Sequence, residues 1–393
     1  MPNEPTLAGL LSGTRLHRSW YNDAWRRASL DCVVAIPALD EATRIARCLA
    51  SLSEQTLAAH GVLVFVNGTT DDTFQAAVDY GREHALPLHV IDADLPAHRR
   101  DAGAARCAAM HLAWKSLASP EGALFTTDAD SVVPRNWIER YRALLASGYD
   151  MVAGITDICA GDDSDMPRSL KARGRLEQRY ERCLDALECR LDPVAHDPWP
   201  RHYQASGANL AARVSALDHL AGLAWPSHGE DVHLVTQAEE HGLRVRHDTS
   251  CRVQTSGRIF GRARGGMADT MRHRILEPDS PCDGRLEALE RAYFRARVRR
   301  AFRDLHALGT PGTGDLAAFA RRIRLPVRSV ADALCSPCFA AAWSLVERHS
   351  PRLRREPIRP SQLLRHCVRG EALLARLGNS DVQTEAASLV NAP

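Results

Sequence analysis

Lysine is nearly absent from this chain. Lys115 and Lys171 are the only two among 50 basic residues, and the rest are arginine. Both types carry the same charge, so this reads as genomic base composition rather than chemistry. Excess charge is also missing: 50 basic residues against 48 acidic ones leave +2, no general bias toward nucleic acid or an anionic membrane. No run of about 18 apolar residues occurs, which excludes an obvious spanning helix. The first thirty residues hold Arg15, Arg18, Arg26 and Arg27 but no continuous apolar core of the signal-peptide kind, so the reading is a cytoplasmic protein. The eleven cysteines are scattered, several in apolar segments (Cys32, Cys48, Cys107), where a reduced thiol acts as a small hydrophobe. The close pair Cys335-Ser-Pro-Cys338 lacks the second pair that a zinc site needs. Internal repeats are absent too. What remains is 393 residues, 45% hydrophobic and 25% charged, the make-up of an ordinary globular chain of two or three domains.

From residue 31 to about 160, short β-branched runs alternate with helix-like stretches. The runs are Cys32–Pro37, Gly61–Asn67, Leu88–Asp92, Ala123–Asp128 and Asp150–Thr156. Apolar throughout rather than alternating, they suit strands buried on both faces of a parallel sheet. Between them the pattern predicts helices over Glu41–Leu52, Asp71–His84, Ala102–Leu117 and Arg135–Ala146, with Thr70 or Asp71 capping the second and Pro134 opening the fourth. This order implies an open α/β sheet with its ligand at the carboxyl ends of the strands. Beyond 160 come a long charged helix at Arg168–Arg190, a helix at Glu230–His241 and a β-rich stretch at Leu243–Thr255. A glycine- and arginine-rich loop is expected over 257–281, and helices over 285–377.

Chemistry concentrates in few places. In Asp128-Ala-Asp130 two carboxylates follow a strand two positions apart, so on extended backbone they point the same way and call for a cation. Mg2+ characteristically binds through one or two carboxylates together with substrate phosphates. Asp92-Ala-Asp94 is a rival triplet that the basic stretch His98-Arg99-Arg100 would neutralise, and Asp162, Asp163 and Asp165 read as a solvated turn. His228-Gly-Glu230-Asp231-Val-His233 opens a helix, where carboxylates either serve the helix dipole or supply a general base. Ser206-Gly-Ala-Asn209 has the small residues of a backbone that a ligand approaches closely. Arg258, Arg262 and Arg264 lie among glycines, where guanidinium forks suit a diphosphate.

Taken in order, these segments resemble the family 2 glycosyltransferases of GT-A fold over residues 31 to 275. Val34-Ala-Ile-Pro37-Ala-Leu-Asp40-Glu41 is similar to the family's first strand with its proline and acidic pair, and Asn67-Gly-Thr-Thr-Asp71-Asp-Thr to the loop that receives the nucleotide base. Gly103-Ala-Ala-Arg106 resembles the helix opening beside the nucleotide, and Asp128-Ala-Asp130 the metal and diphosphate motif. Gly207-Ala-Asn209-Leu-Ala resembles the acceptor-side strand, and Glu230-Asp231 the acidic pair that supplies the base. The resemblance implies an open, mostly parallel sheet flanked by helices with a helical C-terminal extension. It further implies a hexosyltransferase-type enzyme that inverts the sugar carbon, takes a nucleoside-diphosphate sugar and a hydroxyl acceptor (small molecule, lipid or glycan), and uses Mn2+ or Mg2+. Asp130 and Asp128 would hold the metal. Pro37, Asp40, Glu41, Asn67, Asp71, Arg106, Asp128, Gly207, Asn209, Arg258 and Arg262 would line the donor, with Asp231 and its neighbour Glu230 catalytic.

Three departures accompany the resemblance. Asn67 stands where the base-binding loop begins with aspartate, leaving uracil specificity open. The C-terminal arginine–tryptophan motif of processive members is absent, and so are the spanning helices of membrane-embedded members. The expected organisation is an N-terminal segment 1–30, a transferase domain 31–280 (nucleotide half 31–160, acceptor half and lid 161–280), helices 281–378 and a tail 379–393. Alternatives are a sugar nucleotidyltransferase, whose glycine-rich basic loop is replaced here by Pro37-Ala-Leu-Asp40-Glu41, and a sugar-nucleotide-binding protein without turnover. Arginines at 285, 291, 295, 297, 299, 300 and 303 face only Glu287 and Glu290 locally, which raises peripheral membrane contact as a further reading.

Overall fold

The structure is a computed structural model that describes residues 11–99, 101–159, 166–222, 225–226, 229–258 and 267–379. The chain divides into two compact units, Met1–Asp165 with Tyr203–Ala238 and Leu243–Asp269, and Met166–His202 with Glu239–Gly242 and Thr270–Pro393.

The first unit is built on one eight-stranded sheet. In chain order its strands are β1 (Arg15–Tyr21), β2 (Cys32–Ala38), β3 (Gly61–Asn67), β4 (Leu88–Asp94), β5 (Ala123–Thr126), β6 (Met151–Ile158), β7 (Leu210–Arg213) and β8 (Val245–Thr255). Their order across the sheet is β1-β4-β3-β2-β5-β7-β6-β8. The β4-β3-β2-β5 stretch is parallel, as the continuous apolar runs require, while β1 and β7 pair antiparallel with their neighbours. Every residue of β3 is buried, as are six of the seven in β2. Two apolar cores cover the faces, one under α4 (Ala102–Ser116) and the other under α2 (Ile45–Ser53), α3 (Thr73–Glu83) and α5 (Trp137–Ala146). Nine of the fifteen residues of α4 are small (Ala, Gly, Cys or Ser), which lets it lie close against β2 and β3; Asp101 caps it by accepting from the Ala104 N–H at 2.7 Å.

Element types match the sequence reading, while the boundaries shift. α2 begins at Ile45 and α5 at Trp137, a turn closed by Trp137 N–H to the Pro134 carbonyl preceding the latter. β5 ends at Thr126, so Asp128 lies in the loop beyond it. The cap of α3 falls at Asp72, without a side-chain capping bond, rather than at the expected Thr70 or Asp71; the Asp71 carboxylate takes the Thr73 N–H at 2.9 Å from just outside the helix. The N-terminal segment, to which the sequence reading assigned no element, supplies β1 and the short α1 (Asp23–Arg27). β1 is an exposed, charged edge strand, which hides the alternation that marks a strand. Part of the predicted loop over 257–281 is the helix α9 (Met267–Leu276), whose Asp269 near the start and His273 and Arg274 near the end suit the helix dipole.

The second unit is helical: α6 (Arg168–Leu191), α10 (Leu289–Leu308), α11 (Thr313–Ile323), α12 (Val327–Leu334), α13 (Phe339–His349) and α14 (Pro360–Asn379). α7 (Val214–Leu220) and α8 (Glu230–Glu240) follow β7 earlier in the chain. The predicted stripe on α10 divides in two. Leu289 and Tyr293 pack with α6 and α14, while Val298 and Phe302 pack with α11 to α13. The basic run of α10 is matched within this unit. Arg295 holds Glu287 and Glu347, Arg299 and Arg303 hold the fully buried Asp192, Arg285 faces Asp185, Arg291 faces Glu356 and Arg300 faces Asp304. A locally basic sequence is thus largely neutralised, by near carboxylates (Glu287, Asp304) and by others distant in the chain (Asp185, Asp192, Glu347, Glu356). Cys338 caps α13 and donates to the Glu240 carbonyl at 2.8 Å, a structural place for that thiol. No described helix is long and apolar enough to cross a membrane.

Candidate active site

The site lies where β2, β3 and β5 end. After β2 the chain turns through Asp40, a non-glycine residue at φ 49, in the left-handed region. Its carboxylate compensates for that conformation by accepting from Thr70 N–H at 2.6 Å and from the hydroxyls of Thr69 and Thr70. Asp71, from the loop after β3, accepts from Ala42 N–H at 3.1 Å, and the Thr73 hydroxyl takes the Glu41 N–H at 2.7 Å. Burial would raise the Asp71 carboxyl, but hydrogen bonds from Thr73, Ala42 and Thr69 outweigh it and hold the group below its ordinary value. Asp40 and Asp71 therefore staple the first two loops together. Asn67, at the buried end of β3, accepts from Leu95 N–H at 3.0 Å and so fixes the exit of β4. Thr69 and Thr73 complete this lattice, and the sequence offered no signal that separated them from ordinary loop hydroxyls.

The two rival acidic triplets part here. Asp92 pairs with Arg18 at 2.8 Å and Asp94 with His17 at 3.2 Å, both on β1. The edge strand thus supplies contacts to both carboxylates, while Arg100 of the expected 98–100 stretch lies outside the described residues. Asp128 and Asp130 instead face the strand ends. Asp162, Asp163 and Asp165 lie outside the described residues, as do His228, Arg262 and Arg264.

Arg106, on the second turn of α4, joins the remaining pieces. Its Nη1 donates to Asp128 at 2.7 Å and its Nε to Glu230 at 2.8 Å, with only 10% of its side chain exposed. Burial alone would lower its pKa, but the charges of Asp128, Glu230 and Asp231 outweigh that and raise it. Gly207 lies directly under the guanidinium: a Cβ there would sit 2.2 Å from Arg106 Nε. The absence of a side chain at Gly207 thus makes room for one from the protein itself. The Gly207 carbonyl accepts from Thr126 at 2.6 Å and its N–H donates to Asp231 at 2.9 Å. The other Asp231 oxygen accepts from Val232 N–H at 2.8 Å. The acid pair at the start of α8 is in this way tied to the acidic motif beyond β5.

Asp130 points elsewhere, toward β8. Thr255 donates to its Oδ1 at 3.1 Å and Arg258 Nη2 lies 3.2 Å from its Oδ2. The same nitrogen contacts the buried Glu41. Burial and the nearby Asp128 charge push the Asp130 carboxyl up to about 6, against the pull of Arg258 and Thr255. Thr127 Oγ1, Ser131 Oγ, Ser256 Oγ and Arg258 Nη1 are buried around the motif without a protein hydrogen-bond partner. Among the described residues no group of three or more His, Cys, Asp or Glu is placed to hold a metal. Two hard carboxylates with excess negative charge and orphaned polar atoms nearby nonetheless fit Mg2+ or Mn2+ of the kind completed by substrate phosphates.

Asn209 lies apart from this cleft. It is fully buried, and its amide is used in full. Oδ1 accepts from Trp137 Nε1 and Tyr141 OH, each at 2.8 Å, while Nδ2 donates to the carbonyls of Ile155 at 2.8 Å and Cys251 at 3.1 Å. Expected at the donor, it is a knot under the sheet with no hydrogen-bonding capacity left for a ligand.

Residues 33–198 match the family described as Glycosyl transferase family 2. No curated protein matches the chain. Among solved structures, the chain is similar to S. aureus TarS 1–349 in complex with UDP-GlcNAc, at TM-score 0.42 and 14% identity, over 81% of this chain and 90% of that one. It is also similar to the mannosyltransferase PcManGT from Pyrobaculum calidifontis in complex with GDP-Man and Mn2+ (TM-score 0.40, 16% identity, 90% and 84% covered). A third is glucosyl-3-phosphoglycerate synthase from Mycobacterium tuberculosis (TM-score 0.35, 18% identity, 69% and 82% covered). The stretch that supplies β2 to β6, and with them Arg106, Asp128 and Asp130, is a glycosyl transferase family 2 domain.

Proposed function

We propose that the protein transfers a sugar from a nucleoside-diphosphate sugar to an acceptor hydroxyl, with inversion at the anomeric carbon. The observation that carries this reading is Arg106, which joins Asp128 at 2.7 Å to Glu230 at 2.8 Å and so sets the acidic motif beside the acid pair of α8. The donor would lie across the ends of β2, β3 and β5, with its base near the Asn67–Asp71 loop and Pro37. Glu230 is committed to Arg106, which leaves Asp231 as the base. Two backbone N–H groups, from Gly207 and Val232, fix its carboxylate in one orientation. From there it takes the proton of the acceptor hydroxyl as that oxygen attacks the anomeric carbon. One base and one direct displacement imply inversion.

Asp130 and Asp128 are the residues that would hold a divalent cation, Mg2+ or Mn2+. Such an ion supplies positive charge to the departing diphosphate. Arg258, with a buried and unpartnered Nη1, would add a second donor to the same phosphates. The acceptor's identity is left to experiment.

Thermal melting against UDP-, GDP-, TDP- and CDP-linked sugars, with Mn2+ or with chelator, tests the reading. A donor at ~100 times its Kd adds about 2.7 kcal/mol to the native state and raises the midpoint. A metal-dependent shift with one nucleotide supports transfer chemistry. No shift with any donor at millimolar concentration argues for a pocket without turnover. Asp231→Asn should keep donor binding and lose transfer, and normal transfer by that variant would remove Asp231 as the base.

A further inference from the structure

Arg258 holds a position that the proposed donor chemistry alone does not explain. Three loops meet at its guanidinium: the exit of β2 through Glu41, the exit of β5 through Asp130, and its own segment after β8. One nitrogen, Nη2, contacts both carboxylates, Glu41 and, at 3.2 Å, Asp130. Glu41 is 4% exposed, and the Asp130 side chain is 12% exposed. Two buried carboxylates from separate loops repel unless a cation lies between them, and here the protein supplies its own. The supply is incomplete on the arginine's side: Nη1 is buried with no hydrogen-bond partner, and so is Ser256 Oγ two residues earlier. Arg106, by contrast, serves its two carboxylates with two different nitrogens, Nη1 to Asp128 and Nε to Glu230.

We infer that Arg258 is a resident counter-cation of the donor-free protein, seated between Glu41 and Asp130 and exchanged for a divalent cation when the nucleoside diphosphate arrives. This rests on the donor reading proposed above. An oxygen facing a guanidinium at 3.2 Å is not free to ligate a metal at ~2.1 Å, so arginine and metal compete for Asp130. Diphosphate resolves the competition, because it offers the displaced arginine new acceptors while giving the metal further ligands. Metal and nucleotide therefore bind cooperatively, and the metal alone binds weakly.

The test is Mn2+ binding, followed by the loss of the free-ion electron paramagnetic resonance signal, with and without UDP or GDP. If Arg258 occupies Asp130 in 90% or more of donor-free molecules, the apparent Mn2+ Kd is raised at least ~10-fold. The protein should thus bind Mn2+ at least ~10-fold more tightly with nucleotide present. Arg258→Gln should tighten nucleotide-free Mn2+ binding by a similar factor and reduce the cooperativity, whereas Arg258→Lys, which keeps the charge, should stay nearer the parent. Mn2+ binding to the parent that is equally tight without nucleotide overturns the inference while leaving the donor reading intact. So does an Arg258→Gln protein that binds Mn2+ no more tightly. Absence of Mn2+ binding with every nucleotide removes the metal from the proposed function and the inference with it. The parent's cooperativity is measurable even if the glutamine variant does not fold.

Discussion

Replacement of Asn209 by alanine separates a structural role from a ligand-binding one. The side chain carries four hydrogen bonds and is fully buried. Its removal does not affect the four partners equally. The carbonyls of Ile155 and Cys251 each keep a second lone pair, so their loss is modest. Trp137 Nε1 and Tyr141 OH are donors enclosed with no exposed surface nearby, since both residues are fully buried. Each orphaned donor costs about 1–3 kcal/mol, which puts Asn209→Ala at about 2–6 kcal/mol. That is a large share of the ~5–15 kcal/mol that holds a typical domain together. Chemical denaturation followed by tryptophan fluorescence measures it as a lower midpoint at unchanged slope. A thermodynamic cycle with Tyr141→Phe sharpens the test. In the parent this change removes one bond and costs ~1 kcal/mol, while in the Asn209→Ala background it removes an orphaned hydroxyl and should be neutral or stabilising. The argument fails if Asn209→Ala costs under ~1 kcal/mol, or if Tyr141→Phe costs the same in both backgrounds.

Other outcomes are expected from neighbouring contacts. Gly207→Ala places a Cβ 2.2 Å from Arg106 Nε, so the guanidinium must leave Asp128 or Glu230; stability should fall by about 3–5 kcal/mol, with donor affinity by calorimetry falling as well. Gly154→Ala drives a Cβ to 1.9 Å from Tyr141 OH and 2.4 Å from Asn209 Nδ2, and should lower the melting midpoint without any effect specific to the donor. Burial and the Asp185 charge push the Glu181 carboxyl of α6 up to about 7. The native state then holds that proton more tightly than the unfolded chain, so this group's contribution to stability declines as pH rises from about 4.5 to about 7. Glu181→Gln should flatten that part of the stability–pH curve, and an unchanged slope would show that the residue is not the source.

Some of this was legible before any tertiary structure. β2, β3 and β4 are buried on both faces and therefore read as continuous apolar runs, so their number and parallel sense follow from pattern, while their order across the sheet does not. The carboxylates at 128 and 130 were legible because they follow such a run. β1 was not, because an exposed edge strand of charged residues lacks the alternation on which the reading depends. The choice between Asp92-Ala-Asp94 and Asp128-Ala-Asp130 needed that same strand, since Arg18 and His17 are more than seventy residues away from the carboxylates they contact.

Residue type and spacing by themselves singled out the candidates: the carboxylates, the arginines and the small residues at 206–208. Only the tertiary structure decided which of them meet. Gly207 faces Arg106, Asn209 spends its whole amide on a knot beneath the sheet, and Arg258 bridges Glu41 and Asp130, two loops apart. Local pattern reports what a segment buries and which way it runs. Hydrogen bonds and ion pairs between segments depend on where the chain returns, and each carboxylate or amide has only a few positions to fill. Which partner fills them first separates a residue that shapes the cleft from one left to act in it.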